Sequence, residues 1–435
     1  MIDLWPVLTV VMWVVIVVMG LRAALHLTAL ETCGIGLILS ELAKKCFTVA
    51  TLGSYGKLAS LILSAGPAIA ALLLFRAGKR GERKPLLGSI GPPFVCLFGL
   101  LVSLLVSTAM SQGSFLALLT NVSALFWAVG SLCFADLEPQ PQVPKRIFWF
   151  LTITVIYGGW NILVGTDPLW ASYSTISMDY SVGARFTPDL GYTGSLFSSP
   201  SEFGTFILAA TAFILLIAPS RSYRFLTTLF AISMLGAFCT GSRAVIFGVF
   251  SFWFLVIVFA RWTPPLPALL VALLSFPVLQ DHFLPTLLAL QPYGVGVASP
   301  FVNRLTTTGT FAARVGVVDT LSQIVASYPM LGVGAVEYWD PGMVPPDDRH
   351  NLILRLIVQA GLPALLFYGT FVYLNLQAIY RRSPAYRPHR VVGLAYILAA
   401  LLMSFGGPQA TDAWFFMMSG VLFGLSTGPD NTTRT

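Results

Sequence analysis

The sequence predicts an all-α, polytopic membrane protein, and three observations carry that prediction. Hydrophobic residues make up 56% of the 435 and charged residues only 10%, with a mean hydropathy of +0.81. A water-soluble domain of this size needs far more polar surface. Apolar runs of spanning length recur along the chain, about twelve in all. The Lys and Arg residues, which leave a net charge of +7, are spread over short loops between the runs. That is the positive-inside pattern, and it leaves no basic face for nucleic acid.

The runs fall at roughly 5–21, 57–75, 87–109, 114–134, 147–164, 201–218, 225–239, 244–260, 266–280, 350–377, 391–406 and 412–427. Met1-Ile-Asp-Leu-Trp5 lacks a basic region and no small-residue cleavage site follows, so the first run is expected to be a retained span. The interval from Arg22 to Tyr55 mixes apolar stretches with Glu31, Glu41, Lys44 and Lys45, and reads as amphipathic or re-entrant. Alternate counting puts the basic loops 76–84, 145–146, 221–224 and 381–390 on one side, the cytoplasmic one. It puts 165–199, Gly241-Ser242-Arg243, 281–349 and Asp412 on the other. Both termini are then inside, provided that the Arg22 to Tyr55 interval does not cross.

Cys33, Cys46, Cys96, Cys133 and Cys239 lie in or beside apolar runs without Cys-x-x-Cys spacing, and read as small hydrophobes. The histidines at 26, 282, 350 and 389 are far apart and no ligand-type cluster accompanies them, so no metal is expected.

Arg185, Arg243, Arg304, Arg314 and Arg349 fall on the outer side, where the charge rule disfavours them. Two readings fit: loop salt bridges with acids such as Asp179, Asp189, Glu202 and Asp319, or a shared anionic ligand. Over 311–328, Phe311, Val315, Val318, Leu321, Val325 and Tyr328 recur at helical spacing, which predicts an amphipathic helix. Arg314 falls near the centre of its apolar stripe and must be paired there, by a carboxylate or by a phosphate. Pro329, Gly332 and Gly334 then predict a turn. Arg243 opens a span whose free N–H groups suit an anion, although an interfacial arginine also snorkels. Arg355 reads as snorkelling.

In Asp347-Asp348-Arg349-His350-Asn351 the two aspartates suit the start of a helix. His350 in its first turn is either a general base beside anion-binding arginines or an interfacial residue ending a span.

In this order the pieces resemble the bacterial O-antigen ligase and polymerase superfamily. The family's ligase motif of His, then Asn, Ser or Gln, nine residues and Gly is similar to His350-Asn351, 352–360 and Gly361. Gly241-Ser242-Arg243 resembles its small-Ser-Arg at a span's outer end, and Arg314 through Pro329, Gly332 and Gly334 resembles its loop helix and turn. The segment from Gly194 to Gly204 is similar to the stretch before the family's next span, whereas Pro363-Ala364 departs from the usual end of the His motif.

The resemblance implies a GT-C-like helical glycosyltransferase of the bacterial inner membrane. It divides the chain into an N-terminal transmembrane bundle (1–280), a large periplasmic loop with amphipathic helices (281–349) and C-terminal transmembrane helices (350–435). It also implies a periplasmic active site, no cofactor, an undecaprenyl-pyrophosphate-linked glycan as donor and lipid A-core as acceptor. His350, Arg243 and Arg314 would be the catalytic set, with Arg185, Arg304, Arg349, Asn351 and Asp412 contacting substrate. Asp412 would orient His350 or an acceptor hydroxyl, or simply cap its own helix. A polymerase, a protein O-oligosaccharyltransferase and, from another class, a lipid or solute transporter are the rival expectations.

Overall fold

The computed structural model describes residues 5–47, 87–110, 125–134, 142–164, 193–197, 199–218, 222–260, 326, 330–332, 334, 352–381, 387–404 and 412–427. Among these the regular structure is helical, with no strand: α1 (Trp5–Leu25), α2 (Ala29–Phe47), α3 (Leu87–Met110), α4 (Leu125–Phe134), α5 (Gln142–Val164), α6 (Pro200–Ile217), α7 (Tyr223–Cys239), α8 (Arg243–Ala260), α9 (Leu352–Arg381), α10 (Arg387–Met403) and α11 (Ala413–Thr427). Four of these helices hold segments long and apolar enough to cross a membrane: Gly91–Met110, Gln142–Leu163, Pro200–Ile217 and Arg355–Arg381. The expected runs at 57–75 and 266–280 lie outside the described residues.

Helix α6 is the hub. It touches α5, α7, α8, α10 and α11, and its run of buried residues from Phe203 to Leu216 goes round the whole helix. Such all-round burial is what a helix with no polar face achieves at the centre of a bundle. By contrast α5 turns Trp149, Ile153, Ile156, Trp160 and Leu163 outward, a helical stripe of apolar side chains that suits lipid rather than water. Glycines set the closest approaches. A Cβ on Gly130 would overlap the Met417 backbone and one on Gly420 the Trp127 backbone, so α4 and α11 meet main chain to main chain.

The interval left open after Arg22 is a helical hairpin. His26 takes φ 49° after α1, and Leu27 N donates to Arg22 O at 3.2 Å, the bond that closes a helix end of this type. Thr28-Ala-Leu-Glu31 then forms a capping box: Thr28 N donates to Glu31 Oε2 at 2.8 Å and Glu31 N to Thr28 Oγ1 at 3.3 Å. Arg146, at the start of α5, donates to Glu31 Oε1 at 3.3 Å. The α1–α2 turn therefore sits at the Arg146 end of α5, opposite to the end that alternate counting gives it. The physical reason is that Ala29–Phe47 forms a full helix, adding a reversal that the count leaves out. Arg22 thereby joins Lys145 and Arg146 at one end, which brings the N-terminal helices closer to the charge rule.

Candidate active site

The N-termini of α6, α8, α9 and α11 gather at the other end of the bundle. A Cβ on Gly204 would overlap Val245, and one on Gly248 would overlap Met403, so α6, α8 and the end of α10 are in close register there. Leu352 N, at the start of α9, donates to Ser404 O at 3.1 Å. This bond ties the residue two after His350 to the end of α10.

The approach to α6 is built by a buried turn. Ser195 takes φ 53° and donates from Oγ to Thr154 O at 2.6 Å. Its N–H donates to Thr193 Oγ1 at 2.9 Å. Phe197, fully buried, then packs between Phe206 and Trp414, with ring centroids 5.0 and 6.2 Å away. Ser199 caps α6 by accepting from Glu202 N at 3.2 Å.

Arg243 opens α8, as its sequence context suggests. The chain leaves α7 through Thr240 and turns at Gly241, φ 63°, where Ser242 N donates to Thr240 Oγ1 at 3.1 Å. A side chain at Gly241 would be strained in this conformation, so glycine makes the tight reversal possible. Arg243 is half-buried and already has a partner within the protein. Its position at a helix N-terminus adds the first-turn N–H groups to the guanidinium as potential anion donors.

Asp412 precedes α11. Its carbonyl accepts from Phe416 N at 3.1 Å, which makes it the helix cap, while its carboxylate Oδ2 accepts from Thr205 Oγ1 at 2.9 Å. It also acts electrostatically on Arg355 of α9, Tyr368 of α9 and Tyr396 of α10. Tyr396 Oη donates to Trp414 O at 3.4 Å. Asp412 is thus a local cap that also bonds α6 through Thr205. Arg355 lies within electrostatic reach of this carboxylate on another helix.

The Gly361 of the His motif has a specific structural task. Helix α9 breaks at Ala360 (φ −145°, ψ 15°) and Gly361 (φ 71°, ψ −171°). A Cβ on Gly361 would overlap the Met330 backbone, and one on Gly332, itself at φ 63°, would overlap Val358 O. The turn over 330–332 is therefore seated in the break. Ser107 Oγ of α3 donates to Gln359 O at 2.7 Å, satisfying a carbonyl that the break releases. Pro363 restarts the helix within its first turn, where its missing N–H costs nothing.

Of the expected site residues, the structure brings Arg243 and Asp412 to the same end, together with Arg355, Thr205 and the start of α9. His350, Arg314, Arg185, Arg304, Arg349 and Asn351 lie outside the described residues, as does all of the 311–328 helix apart from Ala326, which is helical. The sequence carries no signal for Arg355, Thr205, Tyr368 and Tyr396, because each matters through a partner far away in the chain. No family model matches the chain, and neither the curated proteins nor the solved structures contain a match to it.

Proposed function

We propose that the chain is an O-antigen ligase of the bacterial inner membrane, with about twelve spans, a GT-C-like fold and a periplasmic active site. It transfers a glycan from undecaprenyl pyrophosphate to a hydroxyl of lipid A-core. His350 takes the proton of the acceptor hydroxyl, the hydroxyl oxygen attacks the anomeric carbon, and the bond from that carbon to pyrophosphate breaks on the opposite face, which inverts the centre. Arg243 and Arg314 offset the charge that grows on the leaving pyrophosphate. Arg185, Arg304, Arg349 and Asn351 contact substrate, and the reaction uses no metal or cofactor. Asp412 acts through Arg355 and the start of α9.

The observation that supports this reading most is the lock between Met330–Gly332 and the break at Gly361. It joins the turn that follows the Arg314 segment to the helix that follows His350, so the glycine that ends the ligase-type motif has a structural role of its own. Incubating the purified protein with lipid-linked glycan and lipid A-core tests the proposal: a glycan-capped lipid A-core supports it. Lengthening of the lipid-linked glycan means a polymerase, and transfer to a protein hydroxyl means an oligosaccharyltransferase.

One observation favours a transporter instead. Transporters build their sites from broken helices and buried charges, and α9 is broken about 13 Å below its start, with Arg355 and Asp412 within electrostatic reach of each other. Against it, the break is filled by the chain's own backbone. Flipping of substrate by proteoliposomes without glycan transfer would establish the transporter reading.

A further inference from the structure

Helix α2 packs on α1 and α4, but towards α5, α6 and α11 it stands off and leaves a cleft of about 250 Å³. Gly34 and Ile38 of α2 form one wall, and Phe150, Ala210, Phe213 and Trp414 form the other. Among the described residues, the charged groups on it are Glu31 and Arg146, ion-paired at one end. An empty apolar void of this size is costly, and a wall without polar partners does not hold ordered water. What fits it chemically is hydrocarbon.

The charge at that end selects the hydrocarbon's source. Glu31 is already used three ways, by Arg146 and by the Thr28 N–H and hydroxyl. At the same helix ends lie half-buried Arg22 in the last turn of α1, exposed Lys145 and half-buried Arg146, so among the described residues at that end cations outnumber the one engaged carboxylate. We propose that the cleft binds one acyl chain of an anionic phospholipid from the leaflet at the Arg146 end, with the lipid phosphate on Arg22, Lys145 and Arg146. The lipid completes the contact between α2 and the α5–α6–α11 wall that side chains leave unmade. This site is independent of the glycan-transfer reading.

The test is lipid retention by the full-length protein, purified from nanodiscs of mixed phosphatidylglycerol and phosphatidylcholine and measured by native mass spectrometry. Wild type should retain one phosphatidylglycerol in preference to phosphatidylcholine. Each surface cation near an anionic headgroup is worth roughly a fivefold change in occupancy, so Lys145→Gln should cut that preference about fivefold. Gly34→Leu should fill the cleft and displace the lipid while holding or raising the Tm. Ala210→Leu does the same from the other wall and decides the matter if the first variant does not fold. Retention in proportion to the nanodisc composition, an isoprenoid in place of a phospholipid, or full retention by a folded cleft-filling variant would each overturn the proposal.

Discussion

Gly332 and Gly361 interlock: each adopts a positive φ, 63° and 71°, and each lies where a Cβ would strike the main chain of the other's segment. Neither position tolerates an ordinary residue. The conformation of Gly361, with ψ −171°, belongs to a region essentially reserved for glycine.

Gly361→Ala should therefore lower stability by about 1–3 kcal/mol from backbone strain alone. Gly332→Ala should do the same, and the double variant should cost less than the sum, because the lock is lost only once. Thermal or denaturant unfolding in detergent measures this. Full additivity would mean that the two glycines act separately.

Asp412 and Arg355 should be energetically coupled. In a cycle of Asp412→Asn and Arg355→Met, a coupling of about 0.5–3 kcal/mol is expected. Thr205→Val should destabilise by about 1.5–3 kcal/mol, the usual worth of a hydrogen bond to a charged group. Additive single effects in the cycle would show that the charges do not communicate.

Arg243→Ala should weaken use of the lipid-linked donor while insertion and folding stay near normal. Arg243→Lys should rescue only partly, since it keeps the charge and loses the planar fork. The kinetics of glycan transfer against donor concentration decide this, and normal donor use by the alanine variant would make Arg243 purely structural.

His350→Ala should reduce turnover by about 10²–10⁴-fold, the range for a positioned general base, with a much smaller effect on donor affinity. The wild-type rate should fall with pH as the imidazole takes up a proton, because only the neutral ring accepts one. A folded His350→Gln protein with near-normal turnover and the same pH profile would exclude the general-base role.

Much of the helical layout was legible in advance, because hydropathy is a local property. The runs at 87–109, 201–218, 225–239, 244–260 and 412–427 match α3, α6, α7, α8 and α11 to within a few residues, since a span must hide its own backbone polar groups whatever it packs on. Helix α2 escaped because Glu31, Glu41, Lys44 and Lys45 dilute its hydropathy, although Thr28-Ala-Leu-Glu31 already carries the pattern of a capping box. Arg243 was readable from its place at a span's start. The bond from Thr205 to Asp412 was not, as 207 positions separate them.

Composition and periodicity by themselves determine that this chain is helical and apolar enough for a membrane, where most of its helices begin and end, and that Gly332 lies in a turn, whereas the break at Gly361 falls inside what hydropathy reads as one continuous span. Those properties depend on neighbours within a turn or two of chain. Only the tertiary structure decides that the two glycines meet, that Asp412 bonds Thr205, that the α1–α2 turn lies beside Arg146, and that α2 stands off from α6. Each of these is a pairing over long sequence distance, set by which helix faces pack together, and packing among many similar apolar faces is specified by shape and by a few polar contacts rather than by hydropathy.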